Sequence, residues 1–139
     1  MRGEEVILVP DIVENIFAHA ERDAPVEACG YLAGGDGRIT RNYPMTNIDR
    51  STDHFSFDPR EQFDVRKAAR RDGLDLLGVY HSHPSSPAIP SPEDIRLASD
   101  PALLYVIVSL LNGKSLNGFH IRQGAIKNVP LIIRESDSP

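Results

Sequence analysis

Two histidines two residues apart, His81 and His83, are followed by a serine at 91 and a carboxylate at Asp94. On a β-strand, residues i and i+2 point to the same face, so the imidazoles of His81 and His83 can turn toward one point. Between them and Asp94 runs a loop with prolines at 84, 87 and 90, which stiffen the approach to Asp94. Two histidines and one carboxylate leave a fourth tetrahedral position open. That is the composition of a catalytic zinc site, since structural sites are closed by four protein ligands and favour thiolates. The sequence has one cysteine, Cys29, which forms no internal disulfide and suits a reducing compartment. Hydrolysis at such a metal needs a base, and Glu27 is the candidate, because a charged residue at the start of an apolar stretch requires a reason to be there.

Each of these residues also has a plainer explanation. A lone His-x-His on a strand can be incidental. Ser91-Pro92-Glu93-Asp94 is a capping box on its own. Glu27 can be a surface acid, and Cys29 is read first as a small buried hydrophobe. A cap and a ligand are compatible, however, because the geometry that fixes a helix end also aims Asp94. The joint occurrence at ordered spacing favours the metal.

The elements that must position these side chains follow from periodicity. Residues 6–9 form a first or edge strand, and Pro10 and Asp11 open a helix. Its apolar stripe is Ile12, Val13, Ile16, Phe17 and Ala20, and it ends near Asp23, before Pro25. A buried strand is expected over 28–34, its hairpin partner over 38–43, and a polar loop over 46–53. A short strand over 55–57 precedes Asp58-Pro59-Arg60-Glu61, which carries the cap, first-position proline and acid of a helix running to about 72. Residues 74–83 read as a strand that turns polar at its end. The Ser91 helix then runs to about 100. Strands over 103–110, 116–122 and 125–133 follow, and residues 136–139 are expected to be a loose tail. Helices and strands interleave early and strands dominate late. The expected fold is therefore α/β, a mixed sheet sandwiched between helices, with residues 1–135 as a single domain.

Bulk properties exclude several classes. At 139 residues with net charge −5, the chain has no basic footprint for nucleic acid, and Arg66, Lys67, Arg70 and Arg71 read as one solvated helix face. No apolar run approaches the roughly 20 residues of a membrane helix. Met1-Arg2-Gly3-Glu4-Glu5 lacks the pattern of a secretory leader, so a cytoplasmic setting is expected. Ser91 lies in no Gly-x-Ser-x-Gly elbow, against a serine triad. A zinc nucleobase deaminase needs His-x-Glu and Pro-Cys-x-x-Cys, which are not here.

Glu27, then His81-Ser82-His83, seven residues, Ser91, two residues and Asp94 resembles the JAMM motif of the JAB1/MPN/Mov34 metalloenzymes, with every position filled. Pro25-Val26-Glu27-Ala28-Cys29-Gly30 is similar to the Glu-x-Cys-Gly segment of the compact prokaryotic members. The resemblance implies a JAB1/MPN, cytidine-deaminase-like architecture, in which the mixed sheet is curved, and a zinc peptidase or isopeptidase. It implies that His81, His83 and Asp94 bind zinc, that Glu27 is the general base, and that Ser91 stabilises the oxyanion. It further implies a protein partner, a ubiquitin-like or sulfur-carrier protein cut at its C-terminal glycine. The family also contains inactive scaffolds, so a binding module for a ubiquitin-like partner is the alternative.

Overall fold

The computed structural model describes residues 5–135; the tail expected at 136–139 lies outside them. In chain order the elements are β1 (Val6–Leu8), α1 (Pro10–Asp23), β2 (Cys29–Gly35), β3 (Arg38–Met45), α2 (Pro59–Arg71), β4 (Asp75–His83), α3 (Pro92–Leu97), β5 (Leu104–Ser109), β6 (Ser115–Arg122), β7 (Ala125–Val129) and β8 (Leu131–Ile133).

The strands form one eight-stranded mixed sheet in the order β7-β6-β5-β4-β2-β3-β1-β8. β2 runs antiparallel to both β3 and β4, β4 is parallel to β5, and β1 is parallel to β3 and β8. The register of β2 slips at Leu32/Ala33 against β4 and at Ala33/Gly34 against β3. Such bulges bend a strand and curve the sheet.

Alternation along β4 explains the two layers. Tyr80 points to one face, where it joins Leu8, Ile12, Ile16, Leu32, Val106 and Val108 beneath α1. Val79 points to the other, into a cluster with Cys29, Tyr31, Tyr43 and Ala69 beneath α2. His81 and His83 share the parity of Val79 and so face the α2 side. There a third cluster of Ala88, Ile107, Phe119 and Ile121 packs with Ile95 and Ala98 at α3. Gly30 makes the first layer possible: a Cβ there would stand 2.5 Å from the Tyr80 ring and 2.5 Å from the Tyr43 carbonyl.

Four expectations change in detail. β1 is the first strand but not an edge, since it is flanked by β3 and β8. Residues 55–57 contribute only an isolated bridge, Asn47 to Phe57. α3 stops at Leu97 rather than near 100, because Ala98 is already extended, with φ −70° and ψ 112°. The last strand is two, broken at Pro130, whose nitrogen cannot donate to a ladder. At α2, Asp58 caps Arg60 N–H at 2.9 Å as expected, but Glu61 reaches away from the cap to the Thr46 N–H and hydroxyl, both at 2.8 Å.

Candidate metal centre

β4 ends at His83, and the connection to its parallel neighbour β5 passes through α3, so the β4 terminus and the start of α3 face each other. Ser91 caps α3. Its Oγ accepts the Asp94 N–H at 3.0 Å, and Asp94 Oδ2 accepts the Ser91 N–H at 2.9 Å, a complete capping box. The box holds Asp94 with the same Oδ2 3.2 Å from His81 Nε2 and 3.1 Å from His83 Nε2. The two Nε2 atoms are 3.2 Å apart. Both imidazoles are buried, and the Asp94 side chain is 10% exposed.

The donor set fits a tetrahedral ion. Bonds of about 2.0–2.1 Å put neighbouring ligand atoms about 3.3–3.4 Å apart, close to the 3.1–3.2 Å separations seen. His83 Nδ1 lies 2.8 Å from the Pro87 carbonyl. A proton donated there leaves His83 Nε2 as a lone pair turned toward the Asp94 carboxylate, and an ion between them would satisfy both. Protons respond to the same crowding. Burial disfavours the His83 cation, but Asp94 and the Pro87 carbonyl outweigh it and raise its pKa. Burial likewise works to raise Asp94, yet hydrogen bonds from His81 and His83 hold it far below the usual carboxylate range. Among the described residues, His81, His83 and Asp94 form the one group of three such donors close enough to share an ion.

Glu27 precedes β2, and the β2–β4 register brings it to this cluster. The ladder pairs Gly30 with Tyr80 and Cys29 with His81, so two residues before Cys29 the chain stands opposite His83, and that residue is Glu27. Glu27 is 2% exposed, and its Oε1 has no hydrogen-bond partner among the described residues. Burial pushes its pKa up to about 7; His83 and His54 pull it down, and Asp94 and Asp53 push it up. Cys29 faces the α2-side core, where burial drives its thiol up to about 12, and it is not among the grouped donors.

A cavity of about 290 Å³ opens beside His81 and Asp94. Its walls are Phe55, Phe57, Leu97, Tyr105 and Ile107, with His54, Gln62 and Glu93 at polar positions. Phe55 stacks on the His81 ring, centroids 4.8 Å apart.

Some residues that shape the site were not singled out in the sequence. Ser82, between the two histidines, bonds Ala28. Asn47 bonds the Glu27 carbonyl. His19, away from the site on the opposite face of the sheet, is buried between Tyr80 and Asp23. Ser82 and Asn47, polar residues in a strand and a loop, carry no periodic signal that they will be buried.

A mixed sheet whose central strand ends in two buried histidines, met by a capping carboxylate and backed by a buried glutamate whose Oε1 has no partner among the described residues, fits the α/β class of metal-dependent hydrolases. The chain belongs to the prokaryotic homologs of the JAB domain, whose family model matches residues 9–122. It is 38% identical over 140 residues to the CysO-cysteine peptidase of Mycobacterium tuberculosis, covering 96% of each chain. It is 35% identical over 116 residues to the desampylase of Haloferax volcanii, covering 78% of this chain and 84% of that one. The solution structure of protein DSY2949 from Desulfitobacterium hafniense superposes with a TM-score of 0.87 at 42% identity, covering 94% of each chain.

Proposed function

We propose that this chain is a zinc-dependent peptidase that hydrolyses the amide bond following the C-terminal glycine of a ubiquitin-like or sulfur-carrier protein. The observation that carries the proposal is the convergence of His81, His83 and Asp94 at 3.1–3.2 Å with the buried carboxylate of Glu27 beside them, its Oε1 without a partner among the described residues. Support for the substrate class comes from relatives named as a CysO-cysteine peptidase and a desampylase. His81, His83 and Asp94 would hold the zinc, which when bound supplies a Lewis acid that polarises a carbonyl and acidifies water.

The chain's own residues supply the rest. Glu27, buried beside the proposed ligands with no partner for its Oε1 among the described residues, takes a proton from the attacking water and returns it to the leaving amine as the C–N bond breaks. Because Ser91 Oγ accepts the Asp94 N–H, its own hydroxyl proton is free to point at the oxyanion that forms on the substrate carbonyl. The cavity walled by Phe55, Leu97 and Tyr105 excludes water from one side and offers an apolar surface to the substrate tail. Residues through 135 act as one catalytic unit, and a reducing cytoplasm suits the lone Cys29. Among the described residues no helix is long and apolar enough to cross a membrane.

The test uses the full chain with one equivalent of zinc and a ubiquitin-fold carrier extended beyond its C-terminal glycine. Cleavage at that glycine is read by mass. Activity should vanish with a chelator and in Glu27→Gln, and should fall roughly 10²-fold in Ser91→Ala at unchanged zinc content. Full binding of the carrier without turnover by any zinc-loaded preparation would overturn the proposal in favour of a scaffold.

A further inference from the structure

The loop between β3 and α2 holds a side chain whose hydrogen-bonding capacity is used completely. Asn47 is 5% exposed. Its Nδ2 donates to the Glu27 carbonyl at 3.1 Å and to the His54 carbonyl at 3.0 Å, with the Ser51 carbonyl at 3.5 Å. Its Oδ1 accepts from the Asp49 N–H at 3.2 Å and the Ser56 N–H at 3.3 Å. An amide has two N–H donors and two acceptor lone pairs, and all four are engaged. The loop returns the grip, since the Glu27 N–H donates to the Ser51 carbonyl at 2.9 Å. Glu27 is therefore held at its nitrogen and its oxygen by one loop, and that loop's continuation, residues 54–57, walls the cavity beside His81.

We infer that Asn47 is a positioning residue that locks the backbone of Glu27 and the cavity-wall segment 54–57 into one unit. The Glu27 side chain gains no fixing from its own Oε1, which has no partner among the described residues. Its aim at the cluster thus depends on the backbone that carries it, and Asn47 supplies that restraint. Other side chains fail for stated reasons. Aspartate has no donors for two carbonyls, serine and threonine lack the reach, and glutamine places the amide one methylene too far. The inference rests on the proposed function only in its kinetic part.

The experiment compares wild type, Asn47→Ala and Asn47→Asp by amide hydrogen exchange and by kinetics on the extended carrier. In Asn47→Ala the amides of Glu27 and Ser56 should exchange tenfold or more faster, with Val79 to Ser82 unchanged. Asn47→Asp keeps the acceptor for Asp49 and Ser56 but loses both donors; in it the Glu27 amide should accelerate and the Ser56 amide should not. This second variant decides the matter if Asn47→Ala does not fold. Glu27 exchange at the wild-type rate in both variants would reduce Asn47 to a local turn residue and overturn the inference. In the kinetic arm kcat should fall tenfold or more, with KM within about threefold and zinc content unchanged, because the metal-site residues lie on β4 and α3. A rise in KM alone would overturn the link to Glu27. Should wild type cleave no extended carrier, the proposed function fails, while the exchange measurement still settles the role of Asn47.

Discussion

Ala28 and Ser82 are joined twice: the Ala28 N–H donates to Ser82 Oγ at 2.8 Å, and the Ser82 N–H donates to the Ala28 carbonyl at 3.0 Å. The pair fastens the entrance of β2 to the end of β4, one residue from Glu27 on one side and one residue from each histidine on the other. Alternation sends Ser82 away from the face shared by His81 and His83, so this residue fixes Glu27 relative to the two histidines from the opposite side of the sheet.

Ser82→Ala removes the partner of a buried backbone N–H, which costs about 1–3 kcal/mol. Urea unfolding should show that loss with an unchanged slope. Turnover should fall less than in Glu27→Gln, because the strand ladder still holds the register. A variant as stable as wild type would mean that water or a shifted strand satisfies Ala28.

Glu27 should make the metal-free protein less stable as pH rises. Its folded pKa of about 7 lies above the ordinary 4.5, so the folded state binds the proton more tightly than the unfolded chain. The resulting stability is complete below 4.5 and is lost as pH climbs through 7. Glu27→Gln cannot titrate. Between pH values of about 5.5 and 8.5, metal-stripped wild type should therefore lose about 2 kcal/mol relative to Glu27→Gln. Melting both proteins in chelator at the two pH values measures this; a constant gap would show that Glu27 is already ionised in the fold.

How much of this was legible in the sequence depends on the range of the interaction. Helix starts at Asp58-Pro59 and Ser91-Pro92 are local chemistry, and both caps form. The His81–His83 pair follows from strand parity, and Asp94 from its cap. The placement of β1 between β3 and β8 depends on pairings with residues far along the chain, Arg38 on one side and Leu131 to Ile133 on the other, which no local pattern encodes. Asn47 sits in a polar loop that gives no reason to single out one amide over Asp49 or Asp53. Its burial arises only when that loop folds back over Glu27. His19 lies on the buried stripe of α1, yet its partner Tyr80 is 61 residues distant.

His19 should give the opposite pH response to Glu27. Burial lowers its pKa below 6.5; Asp23 opposes this, and Arg22 reinforces it. The folded state keeps the ring neutral while the unfolded chain takes a proton, so its contribution is whole above 6.5 and drains as pH falls below it. His19→Gln loses contacts at 2.7 Å to Tyr80 and 3.0 Å to Asp23 and should be less stable at a pH of about 8, where the wild-type ring is neutral in both states. The deficit should shrink steadily below pH 6.5, because the glutamine carries no titration. Glu27 and His83 titrate in both proteins and cancel in the difference. A deficit independent of pH would show that His19 protonates as easily in the fold as outside it.

Asp94 serves two structures through one oxygen, and two substitutions separate them. An asparagine at this position is neutral, but its carbonyl oxygen can still accept the Ser91 N–H that Oδ2 takes at 2.9 Å, so Asp94→Asn should keep the start of α3. It removes the negative charge facing both imidazoles, and zinc affinity should fall by roughly 10²-fold or more, by competition with a chromogenic chelator. Asp94→Ala loses the same affinity and also the reciprocal half of the capping box, about 1 kcal/mol further in the metal-free protein. The order expected is therefore wild type above Asp94→Asn above Asp94→Ala for metal-free stability, with both variants equally poor at holding metal. If Asp94→Asn bound zinc as tightly as wild type, the carboxylate would be a cap alone, and the third donor would have to come from Glu27, the remaining buried carboxylate at this end of β4.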